Sequence, residues 1–206
     1  MRLRVSVILL ALGLPPIGQR HKIEEINAEK PDGKLIQQIM QENDAGKKTA
    51  LLEQFTSEYG ESKDTPWALE QLQAAYVKAG ETDKSITAGD RLLTLDPDAA
   101  EAGLQCLKAA ESKKDAAMIR KYAVAAAAAA QRLSAVPQPK EAGEAANWKA
   151  VVEYAKQVQD YADYALYRGA AESRDPKATI DFGEALRRQS PSSEYAGKVA
   201  DPLFVT

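Results

Sequence analysis

The sequence predicts an all-α protein built from stacked helix pairs. Three observations carry that reading. Apolar residues recur at helical spacing along most of the chain. The breaks between these patterns are short and hold Gly, Pro or Asp. No segment alternates apolar and polar residues between hairpin turns. With 206 residues, 45% hydrophobic and 28% charged, the chain suits one domain or an array of similar size.

The first twenty residues stand apart. Arg2 and Arg4 precede the uncharged run Val5 to Leu14, which is shorter than the roughly 20 residues a spanning helix needs. This pattern fits a secretory signal peptide over 1–20, with cleavage after Gly13 or near Gly18. The mature chain is then expected outside the cytoplasm, periplasmic or secreted. No second long apolar stretch follows, so no integral membrane span is expected in it. Residues 21–33, with "NAEKPDGK", read as a linker, and the single histidine, His21, as surface decoration. The helical domain is expected over 34–200 and an aperiodic tail over 201–206.

Within the domain the helices follow closely. Lys34 to Asn43 carries Leu35, Ile36, Ile39 and Met40, and Ala45 to Tyr59 carries Leu51, Leu52 and Phe55 before Gly60. The third starts near Asp64, a candidate cap, with Pro66 near the first helical position. Leu69, Leu72, Tyr76 and Ala79 share a face, and Gly80 stops the helix. The fourth carries Ile86, Leu92, Leu93 and Leu95 and ends at Pro97, which cannot continue the hydrogen-bond ladder. Ala99 to Ser112 and Ala116 to about Ser134 come next. The latter's "YAVAAAAAAQRL" combines the best helix former with a side chain small enough for close approach, so it reads as a tight packing face. After the break at 135–143, a long helix runs from about Ala145 to Ala171, and the last clear helix runs from Lys177 to Gln189, stopped by Pro191.

Helices this short, joined by so few residues, must lie antiparallel, and one pair cannot cover its own apolar face. The pair from Pro66 to Pro97 resembles a tetratricopeptide repeat (TPR). With Pro66 as position 1 of a 34-residue unit, Leu72, Tyr76, Gly80 and Pro97 fall at 7, 11, 15 and 32, which hold Leu, Tyr, Gly and Pro in that family. Trp67 comes two positions early, Ser85 and Leu92 stand where alanine is usual, and Gln73 replaces a small residue. A second copy sits near the C-terminus. Setting Pro191 on Pro97 matches Ile180 with Ile86, Gly183 with Gly89 and Leu186 with Leu92. The copies are 94 residues apart, not a multiple of 34, so the units between them are irregular. Cys106 lies 34 residues after Leu72, in a buried slot, and reads as an inert core residue. The resemblance implies a short right-handed α-solenoid of about three to four helix pairs, of bacterial and exported type.

The chemistry readable from the sequence is sparse. The net charge of −3 and the single Arg-Arg doublet, Arg187–Arg188, argue against nucleic acid. One cysteine and one histidine argue against a metal site, and no cofactor is expected. There is no G-x-S-x-G, phosphate loop, H-E-x-x-H or C-x-x-C, so the chain is not expected to be an enzyme. The resemblance instead implies an interaction scaffold that binds a protein or peptide partner in a concave groove. Tyr154, Tyr161, Tyr164 and Arg168, spaced by seven, three and four, share a helix face and are types enriched in binding hot spots; Tyr167 falls on another face. They either line that groove or pack between repeats. If the repeat register holds, Trp67, Glu70, Gln71, Ala74 and Lys78 face it too. The alternatives are a self-associating structural helical protein and, more distantly, a carboxylate-based enzyme. The oligomeric state is not encoded in any of these patterns.

Overall fold

A computed structural model describes residues 20–140 and 142–199. The expected signal peptide, except Arg20, and the expected tail lie outside these residues. Among the described residues there are nine helices and no strand. They are α1 (Pro31–Gln41), α2 (Ala45–Glu58), α3 (Thr65–Ala79), α4 (Thr82–Leu95), α5 (Ala100–Lys113), α6 (Ala116–Ser134), α7 (Ala142–Glu172), α8 (Pro176–Gln189) and the short α9 (Glu194–Lys198). None of the helices is long and apolar enough to cross a membrane, among the described residues.

The ends are set by local chemistry. Asp44, Asp115 and Asp175 accept hydrogen bonds from the first-turn amides of Lys47, Met118 and Lys177, which would otherwise lack partners. Gly80 closes α3 at φ 73°, a conformation that other residues rarely adopt. Asp64 differs from the expectation. Its backbone is helical (φ −93°, ψ 0°) rather than extended, and its carboxylate makes no capping bond. It is buried instead, and burial raises its pKa above the ordinary carboxylate value.

Every helix packs on its successor, from α1 through α9. Contacts also skip one helix: α3 touches α5, α5 touches α7, α6 touches α8, and α7 touches α9. The two-residue link Gly80–Glu81 forces α4 back along α3. Two apolar cores result, and they meet at α4 and α5. One gathers Leu35, Ile39, Phe55, Leu69, Leu72 and Leu92; the other gathers Leu107, Tyr122, Val158, Leu166, Phe182 and Leu186.

The alanine run does what its composition predicts. Ala123, Ala126, Ala127, Ala129 and Ala130 are all fully buried, with α6 lodged between α5 and α7. Small side chains let the helix axes close in until the core reaches native density. A comparable close approach centres on Gly89. A Cβ there would lie 2.1 Å from Gln73 Nε2 and 2.4 Å from Cys106 Sγ. Gln73, set where the repeat pattern calls for a small residue, uses that room. Its amide donates to the carbonyls of Ser85 (3.4 Å) and Ala102 (3.2 Å), tying α3 to α4 and α5. Cys106 is wholly buried beside it, and burial pushes its thiol up to about 12. The reactive thiolate is therefore disfavoured at neutral pH.

Candidate functional site

The tyrosine-bearing face of α7 turns toward α5 and α9. The Tyr154 hydroxyl donates to Glu101 on α5. The Tyr161 hydroxyl and the Arg168 guanidinium both reach Glu111, the guanidinium at 2.6 Å, and Lys108 lies 5.8 Å from the centre of the Tyr161 ring. Burial, with Glu111 as hydrogen-bond partner and neighbouring charge, pushes the Tyr161 phenol up to about 12. Three of the four expected residues thus bridge α7 to α5. The fourth, Tyr164, takes a different course. Its ring lies 5.6 Å from Tyr195 on α9 and 6.4 Å from Tyr167, and Tyr167 stacks on Tyr195 at 5.6 Å. Tyr167, expected on another face, therefore joins Tyr164 through the α9 ring. The Arg168 guanidinium lies 5.9 Å from the centre of the Tyr164 ring, so the bridge and the aromatic cluster are contiguous. Tyr161 and Tyr164 keep 37% and 42% of their surface exposed, enough to meet a partner.

The α3 residues divide in two. Gln71, Ala74 and Lys78 line an open groove of about 750 Å³ against Thr49, Leu52 and Glu53 of α2. Its mouth is mixed in charge, with Lys84 of α4 paired to Glu53 and Glu81. The Tyr76 hydroxyl donates to Glu53 at 2.6 Å, and that bond, with Lys84, holds the Glu53 carboxyl below its ordinary range. Trp67 is half-buried against the first core. Glu70 faces the helix-free stretch at the start of the described chain. Its carboxylate accepts from the backbone amides of Arg20 (2.9 Å) and His21 (3.2 Å). The His21 ring sits between Glu70 (3.4 Å) and Asp96 (3.1 Å), and Arg20 reaches Asp96 and Asp98. Ile23 and Ile26 pack against the core behind. His21, expected as surface decoration, instead makes specific contacts with Glu70 and Asp96.

Two participants lay beyond sequence reasoning. Tyr195 falls in a five-residue helix too short to show a period, although Ser193 capping Tyr195 leaves a trace as "SSEY". The Arg20–His21 contacts join residues some fifty to seventy-eight apart, which no spacing rule reports. No family model, no curated protein and no solved structure matches this chain.

Proposed function

We propose that this chain is a non-enzymatic interaction scaffold, exported to the bacterial periplasm or envelope, that binds a peptide or a helix of a partner protein. On this reading the helices form a short right-handed solenoid of the tetratricopeptide kind. The supporting observation is the run of contacts from α3 to α5 to α7, which aligns the first helices of three successive pairs. A face made of such helices would carry Gln71 and Lys78 at one end, Lys108 in the middle, and Tyr161 and Tyr164 at the other. Aromatic and cationic side chains interleave along it, and such rows recur in protein-binding surfaces. The open groove between α2 and α3 adds a recess for an apolar anchor.

Site-specific photo-crosslinking in the cell tests the reading. A photoreactive residue is placed in turn at Lys78, Lys108 and Tyr164, and for comparison at Glu184 and Arg187 on α8. The proposal expects one partner protein joined to the first three positions and not to the last two. Equal labelling from both sets contradicts it. A product of twice the chain's own mass favours self-association instead. Mass spectrometry of the same purified protein reads the mature N-terminus, and an intact Met1 on all of it would contradict cleavage of the leader.

A further inference from the structure

Glu70, Asp96 and Asp98 come from two places, the middle of α3 and the turn between α4 and α5. They meet around Arg20 and His21, at the start of the described chain. Glu70 and Asp96 are largely shielded, with side chains 10% and 16% exposed. Glu70 uses both carboxylate oxygens on consecutive backbone amides, a geometry that reads a polypeptide backbone rather than an isolated cation. Asp96 takes both basic side chains, the Arg20 guanidinium and the His21 ring. Asp98 is shared between Arg20 and Arg132 of α6, whose guanidinium also donates to the Pro97 carbonyl. The result is a cleft complementary to two adjacent basic side chains and their two backbone amides, and the chain's own Arg20–His21 shows the fit.

We infer that this cleft is a docking site for a short basic segment of a partner protein, and that residues 20–22 occupy it in the free protein as a displaceable strap. The strap's side chains are partly open to water, at 40% for Arg20 and 19% for His21. Ion pairs of that exposure hold weakly and loosen with salt. A strap attached in cis lowers the affinity of any competitor by the fraction of time it occupies the cleft. The inference stands apart from the α3–α5–α7 face, because its assay reads the cleft alone.

The test uses the full chain and a fluorescent synthetic peptide with the sequence of residues 20–26, RHKIEEI. Anisotropy is followed for the wild type, for Arg20→Ala with His21→Ala, and for that double variant carrying Glu70→Gln. The double variant should bind at least tenfold more tightly than the wild type, and Glu70→Gln should remove most of the gain. Added salt should weaken binding. Equal affinity in wild type and double variant, no binding by the double variant, or binding indifferent to Glu70→Gln would overturn the proposal. Should the variants unfold, which far-UV circular dichroism reports, the wild type decides by hydrogen exchange. Saturating peptide should deprotect the Arg20 and His21 amides, and protection unchanged at saturation overturns the idea.

Discussion

Asp163 is the carboxylate most enclosed by the second core. It sits on α7 with 3% of its surface exposed, and its Oδ1 accepts from the Ser190 hydroxyl at 2.8 Å. Burial raises its pKa; the serine hydroxyls at 190 and 193 pull it down, and burial wins. The folded state therefore holds this proton more tightly than the unfolded chain does. Its contribution to stability is complete below the unfolded value near 3.8 and is lost as pH rises through the higher folded value. Asn at this position keeps the acceptor for Ser190 and carries no charge to desolvate. Asp163→Asn should raise the melting temperature at pH 7 and flatten its decline with rising pH above about 4. A melting temperature at pH 7 that falls in the variant would mean that the charge itself is stabilising here. The same residue shows one limit of sequence reading: nothing in "QDYADYAL" marks Asp163 as the acid that faces inward.

At the scale of elements, helical periodicity reports which residues share a face but not what lies against that face. The 34-residue register gave the inward positions Leu72, Tyr76, Leu92 and Cys106, and all four are buried. It was legible there because α3 and α4 have helices on both sides to cover them. The C-terminal copy matched Leu186 and Gly183 correctly as buried, yet Ile180 and Ile86 part company. Ile86 is 7% exposed and Ile180 is 40% exposed. Ile86 has α5 packed over α4; among the described residues, α8 is followed only by the five-residue α9. Likewise the spacing of Tyr154, Tyr161 and Arg168 was readable, while their partners Glu101 and Glu111 stand fifty or more residues upstream. A pair of variants separates the two isoleucines. Ile86→Asp should cost about 3 kcal/mol or more, because it buries a charge without a partner. Ile180→Asp should stay within about 1 kcal/mol. Urea unfolding measures both, and equal losses would show that the α8 face is covered.

Across the whole molecule, the arrangement is sequential. Each helix leans on the next and often on the one after, so the two cores grow along the chain rather than around one centre. Charged pairs repeat this logic at the surface. Lys84 of α4 pairs with Glu53 of α2, Lys121 of α6 with Asp90 of α4, and Arg120 of α6 with Asp181 of α8. Each pair at the surface adds little stability, but its register reports which helices are neighbours. The proposed interaction face, the α2–α3 groove and the proposed basic-segment cleft all depend on this order. Zero-length carbodiimide coupling followed by peptide mass spectrometry of the monomer reads it directly. The stack described here predicts amide links Lys84–Glu53 and Lys121–Asp90 between next-but-one helices, and Lys113–Asp83 between α5 and α4. Links that instead join Lys84 or Lys113 to carboxylates of α8, or Lys121 to those of α1, would contradict the stacking on which the whole account rests.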